Sequence, residues 1–164
     1  MTFAYTIPFA RPADAAWDAL ADTERLIRCI PGCEAVEPAA GDAAGGPGRE
    51  PVPAGAETYS VRVATGLGPV RLRAAGIAAV RRDPSARSVT AKVSLADPRA
   101  GAMYATMTLE VRPAADGRSE LRLAADVVLA SKMGEFAQPL LRHKADQTVR
   151  QFVQNLTEAL DARG

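Results

Sequence analysis

Side chains that commonly carry catalysis are scarce in this sequence. His143 is the only histidine and lies between Arg142 and Lys144, so we expect no serine–histidine–acid arrangement around it. The two cysteines, Cys29 and Cys33, lack the CxxC spacing of a redox pair and, with no histidine nearby, are too few ligands for zinc. Phosphate loops, dinucleotide fingerprints and GxSxG elbows are missing too. These absences favour binding over catalysis and predict no catalytic residue, metal or cofactor.

An excess of charge and a long hydrophobic run are also missing. The 20 basic and 19 acidic residues leave a net charge of +1, which does not suggest a nucleic-acid partner. No window approaches the roughly 20 apolar residues that a membrane-spanning helix needs. The N-terminal residues MTFAYTIPFARPADAAW lack the basic start and continuous apolar stretch of a secretion signal. We therefore expect a cytoplasmic protein whose cysteines stay reduced.

Aromatic residues make up only 5% of the chain, although 48% of it is hydrophobic. A core built from alanine, valine and leucine packs well only where elements approach closely, and it leaves empty volume where they diverge. This composition predicts a globular domain with room for a cavity.

Apolar and polar residues alternate through most of the chain, as in strands that bury one face. Such a pattern is typical of an antiparallel sheet. The alternation predicts seven strands, at residues 2–9, 33–38, 57–66, 70–81, 87–95, 102–112 and 119–130.

Helical patterns occur in three places. Pro12 is expected to open a first short helix, and Thr23 to cap a second one that ends near Cys29. The stretch 132–164 carries one wide apolar stripe and predicts a long amphipathic helix. Pro139 leaves its start open: the helix begins near Gln138, or its first turns precede the proline and are bent. This helix either encloses a cavity with the sheet or simply closes a core.

Residues 39–56 form a stretch rich in glycine, proline and alanine that cannot build a core. We expect a flexible loop, either an inert insertion or a flap near a pocket mouth, within one domain spanning residues 1–164.

Three segments of the sequence resemble a known family. Residues 7–37 read IPFARPADAAWDALADTERLIRCIPGCEAVE, with a helix carrying Trp17, Leu20 and Asp22 before an Ile-Pro-Gly-Cys turn. Residues 66–76, GLGPVRLRAAG, and 134–141, GEFAQPLL, continue the likeness. Together they resemble the CoxG family of carbon monoxide dehydrogenase proteins, within the START-like (SRPBCC) superfamily.

The resemblance implies an α+β helix-grip fold. In it a curved antiparallel seven-stranded sheet surrounds a long C-terminal helix, with two short helices between strands one and two. It also implies an apolar cavity that binds a hydrophobic small molecule, lipid or quinone-like. The implied role is that of an accessory protein to a molybdenum hydroxylase-type enzyme, with peripheral membrane contact and no transmembrane segment.

Residues facing such a cavity can be read from the strand and helix patterns. One sheet face and one helix face would form its walls, although each of these residues could equally be ordinary core. Tyr59 is the best polar candidate, because its phenol could anchor a ligand carbonyl. The predicted ligand-binding residues are Tyr59, Val61, Leu72, Val93, Met103, Ala105, Met107, Phe136, Leu140, Leu141 and Phe152.

Two other functions remain open. START-like folds also house polyketide cyclases and aromatases, which need titratable groups inside the cavity. An enzyme of that kind would turn one of Arg71, Arg73, Glu57, Tyr59 or Asp126 inward. A protein–protein adaptor without a ligand would instead fill its core completely.

Overall fold

The computed structural model describes residues 2–38, 56–67, 70–98, 101–130 and 134–163. Apart from Ala56, the predicted loop at 39–56 lies outside these residues. The described elements are β1 (Thr2–Phe9), α1 (Ala13–Ala19), α2 (Thr23–Arg28), β2 (Cys33–Pro38), β3 (Glu57–Leu67), β4 (Val70–Asp83), β5 (Ser88–Asp97), β6 (Gly101–Pro113), β7 (Ser119–Ala130) and α3 (Gly134–Arg163). All seven predicted strands are confirmed, with ends that differ by up to two residues.

The strands form one antiparallel sheet in the order β1-β7-β6-β5-β4-β3-β2. Its register places Val61, Gly76, Leu95 and Met103 side by side on β3 to β6. Since side chains alternate across a strand, every second residue from these positions lies on the same side of the sheet. That side faces α3, and we call it the inner face; the opposite side is the outer face.

The cap of α2 differs from the prediction. Asp22 is the N-cap, and its Oδ1 accepts a hydrogen bond from the backbone N–H of Arg25 at 3.1 Å. Thr23 is therefore the first helical residue, and the prediction that it caps the helix is wrong. The physical reason is that the Thr23 hydroxyl binds the Arg82 side chain instead. The helix ends at Arg28, next to Cys29 as expected.

Helix α3 begins before Pro139, which lies inside it, so a start near Gln138 is wrong. Its first half is held against the edge strand β1. The Tyr5 hydroxyl donates to Asp146 Oδ1 at 2.7 Å, and the Arg142 guanidinium lies 5.7 Å from the centre of the Phe3 ring. No helix in the described part of the chain combines the length and apolar character needed to cross a bilayer.

The second half of α3 is fixed to the α2–β2 turn. Asn155 Nδ2 donates to the backbone carbonyl of Cys29 at 2.8 Å, and the neighbouring Leu156 is only 1% exposed. Gly32 completes this turn with a φ of +87°, a conformation that side chains other than glycine adopt at a cost. One end of the molecule is thereby closed.

Replacing Asn155 by alanine should lower the free energy of unfolding by about 1–2 kcal/mol, because a part-buried carbonyl loses its donor. Urea denaturation measures the effect. Gln154→Ala is the matched control, since Gln154 is exposed and bonds only Glu158 among the described residues. An equal loss in both variants would mean that the Asn155 contact does not fix the helix.

Candidate functional site

The inner face brings together all seven sheet residues predicted to bind a ligand. The register puts Tyr59 level with Ala78, Val93 and Ala105, and Val61 level with Met103. Leu72 and Met107 lie on the same face by alternation. Val61 and Ala105 are buried, whereas Tyr59, Leu72, Val93, Met103 and Met107 are half-buried.

Burial along the inner face is uneven. At the end covered by α1, Val111 is 3% exposed and Leu121 is 0% exposed. In the middle of the face, Ala91, Val93 and Met107 keep accessible surface although a 30-residue helix follows on the same side. A filled core would exclude solvent from such positions. The pattern indicates an unfilled apolar space between the sheet and α3, closed at the α1 end.

The helix contributes less to the described wall than predicted. Phe152 is half-buried and packs against the core, as do Val153 and Ala159. Phe136, Leu140 and Leu141 lie within α3, but their side chains are outside the described residues.

Polar groups gather at one corner of the inner face, where β3 and β4 meet α2. The Tyr59 hydroxyl donates to Glu57 Oε2 at 3.0 Å. Arg82 donates to the Thr23 hydroxyl oxygen twice, from Nε at 3.1 Å and from Nη2 at 2.6 Å. We call Glu57, Tyr59, Thr23 and Arg82 the polar corner. Its two halves are joined by a hydrogen bond between Thr23 and Tyr59 that acts on the tyrosine pKa.

Titration behaviour in the polar corner follows from burial and from this network. Burial raises the pKa of the Tyr59 hydroxyl above its ordinary value, and the carboxylate of Glu57 raises it further, while Thr23 and Arg82 oppose the rise. Burial lowers the pKa of Arg82, and Glu57, Tyr59 and Asp22 counteract it. Tyr59 is therefore a neutral phenol at physiological pH.

The other titratable candidates lie elsewhere. Arg71, Arg73 and Asp126 are exposed on the outer face. Asp126 accepts a hydrogen bond from the Thr2 hydroxyl at 2.7 Å. Only Glu57 and Tyr59, of the five residues considered for an enzyme, are on the inner face.

The two cysteines are free thiols in the described chain. Burial raises the pKa of both Cys29 and Cys33, which lowers the thiolate fraction at neutral pH. Within the described ranges, no three histidine, cysteine or acidic side chains lie close enough to hold a metal ion.

Sequence reasoning missed Arg82 and the role of Thr23. The predicted fourth strand ended at residue 81, whereas β4 continues to Asp83. Extending the alternation of Ala78 and Val80 by one step would have placed Arg82 on the inner face. Nothing local pairs Arg82 with Thr23, because 59 residues separate them.

Solved structures share this architecture. A conserved protein from Geobacillus kaustophilus matches with a TM-score of 0.78 at 16% identity, covering 99% of this chain and 96% of that one. The Zhui aromatase/cyclase from Streptomyces sp. R1128 has a TM-score of 0.70 at 18% identity, with coverages of 99% and 94%. A START superfamily protein from Mycobacterium smegmatis has a TM-score of 0.64 at 14% identity, covering 99% of both chains.

Identities this low establish the fold and leave the function open. They confirm the α+β helix-grip (START-like) fold, with a seven-stranded antiparallel sheet and a C-terminal helix. No curated protein matches the sequence. The model of the polyketide cyclase / dehydrase and lipid transport family matches residues 1–161, so this chain belongs to that family.

Proposed function

We propose that this protein is a non-catalytic carrier or accessory protein that binds an apolar small molecule, lipid or quinone-like, between the inner face and α3. The observation that carries the proposal is the half-buried apolar wall in the middle of the inner face. Ligand pockets are mostly apolar with a few polar groups, which matches this wall and its single polar corner. The family description, which includes lipid transport, is consistent with it.

Apolar contact alone supplies enough free energy for such a ligand. Each CH₂ group removed from water contributes about 0.8 kcal/mol, so a ten-carbon chain gains roughly 8 kcal/mol before ordering costs. Met103 and Met107 are flexible and polarizable, and they adapt to ligands of variable shape. Micromolar binding therefore requires no further chemistry.

Native mass spectrometry of the purified protein, followed by organic extraction, tests the proposal. We expect a stoichiometric apolar adduct that extraction identifies as a lipid or quinone-like compound. Incubation with decanol then provides a control for a protein that has lost its ligand during purification. A clean apo mass that decanol does not change would contradict the carrier function.

The partner proposal rests on the resemblance of residues 7–37 to the CoxG family of carbon monoxide dehydrogenase proteins. On that basis the carrier serves a molybdenum hydroxylase-type enzyme. Stable complex formation with such an enzyme in size-exclusion chromatography would support this assignment.

A second candidate is a cyclase or aromatase-like enzyme. It is favoured by the polar corner, which joins a carboxylate, a phenol and a guanidinium on the inner face. The Zhui aromatase/cyclase has the same fold. Turnover of a polyketone that Tyr59→Phe slows at least tenfold would support this candidate over the carrier.

A further inference from the structure

We propose that the polar corner selects apolar ligands that end in a hydroxyl group, such as long-chain alcohols or phenols, over carbonyl or ether ligands of similar size. The proposal rests on the proposed function, because it assumes that an apolar ligand occupies the inner face. It follows from the direction in which the hydrogen bonds of the corner run.

The direction is set first at Arg82. A guanidinium only donates hydrogen bonds, and Nε and Nη2 of Arg82 both point at Oγ1 of Thr23, at 3.1 and 2.6 Å. These two bonds occupy both lone pairs of the hydroxyl oxygen. The hydroxyl hydrogen of Thr23 must therefore be donated away from Arg82, toward Tyr59.

The direction is set again at Glu57. A carboxylate only accepts, and Glu57 Oε2 lies 3.0 Å from the Tyr59 hydroxyl. Tyr59 therefore donates its hydrogen to Glu57 while accepting one from Thr23. All hydrogens in the polar corner run from the cation toward the carboxylate.

What is left for a ligand is acceptor capacity alone. The Tyr59 oxygen keeps one lone pair, and Oε1 of the exposed Glu57 makes no hydrogen bond among the described residues. The remaining donor, Arg82 Nη1, is buried without a partner in the described chain and is enclosed by protein. A ligand carbonyl at this corner would thus meet oxygen lone pairs, whereas a ligand hydroxyl would find a partner.

This reverses the expectation that the Tyr59 phenol anchors a carbonyl. Tyr59 is half-buried in the row of Ala78, Val93 and Ala105, so a chain lying on that apolar row places its polar end beside the phenol oxygen. The ligand class is an apolar chain or ring system with a terminal hydroxyl.

Displacement of the neutral fluorescent probe N-phenyl-1-naphthylamine by 4-nonylphenol and by its methyl ether, 4-nonylanisole, tests the proposal. The measured quantity is the ratio of the two affinities, compared between variants so that the difference in hydrophobicity cancels. Tyr59→Phe should lower the preference for the phenol roughly fivefold, the typical effect of one net hydrogen bond. Glu57→Gln, which keeps the shape but lets the phenol donate elsewhere, should lower it as well.

Tyr104→Phe is the matched control, because Tyr104 lies on the outer face and is 38% exposed. It should leave the ratio unchanged, and thermal denaturation should show all variants folded. An unchanged ratio in Tyr59→Phe, or in Glu57→Gln, overturns the hydroxyl preference but leaves the carrier function intact. Failure of the wild-type protein to bind the probe and either ligand overturns both.

Discussion

Met107→Glu should abolish binding of apolar ligands while the protein stays folded. Met107 is half-buried in the middle of the inner face, and its cross-strand neighbours are Ala91 and Ala125. These small neighbours leave space for a glutamate, and water in the unoccupied space can hydrate its charge. An apolar ligand would have to remove that water, and desolvating a charge costs several kcal/mol. We expect affinity to fall more than about 100-fold.

Displacement of N-phenyl-1-naphthylamine measures this loss. Thr106→Glu is the matched control, because Thr106 is adjacent in β6 but exposed on the outer face, level with Lys92 and Asp126. It introduces the same charge and should leave affinity within about twofold of the wild type, in line with the small effects of most surface substitutions. Equal affinities of Met107→Glu and wild type would remove residue 107 from the ligand site.

Gly76→Ala should be the most damaging small substitution in the sheet. An added Cβ would collide with the carbonyl oxygen of Ser94 and lie 2.8 Å from its carbonyl carbon and 2.9 Å from Leu95 Cα. These are backbone atoms of the neighbouring strand β5, so no flexible side chain can move aside. We expect a loss of about 3 kcal/mol or more in the free energy of unfolding, at the upper end of the usual range for single substitutions.

Urea denaturation compares this variant with Gly66→Ala. Gly66 lies in β3, and a Cβ built there meets no atom within 4 Å. That control should change stability by less than about 1 kcal/mol, and alanine can even stabilise because it restricts the unfolded chain. A loss in Gly76→Ala no greater than in the control would show that β4 and β5 separate easily, and would argue against a rigid wall.

The fold could be predicted largely from the period of the apolar residues. Alternation located every strand because each buries one face only, and the regular stripe of 132–164 located α3. Local chemistry was less reliable: Thr23 and Asp22 are both good capping residues, and only a tertiary bond to Arg82 decides between them.

The candidate site was predictable only in its apolar part. Residues such as Val93 and Met107 follow from strand alternation, but the same pattern fits a filled core, so the space beneath α3 needed the structure. The polar corner escaped because its hydrogen bonds join segments far apart in the chain. The single-domain organisation, the cytoplasmic location and the ligand-binding role of each candidate residue remain predictions.

The order of strands has a consequence for synthesis of the chain. β1 and β2 follow one another in sequence but form the two opposite edges of the sheet, and Thr2 pairs with Asp126, 124 residues later. At about 5–20 residues per second, β1 waits roughly 6–25 s on the ribosome for β7 to appear. Phe3 and Phe9, 8% and 3% exposed in the folded protein, have no sheet partner during that interval. The first strand translated is therefore among the last to be placed, and the nascent N-terminus is the segment most in need of chaperone protection.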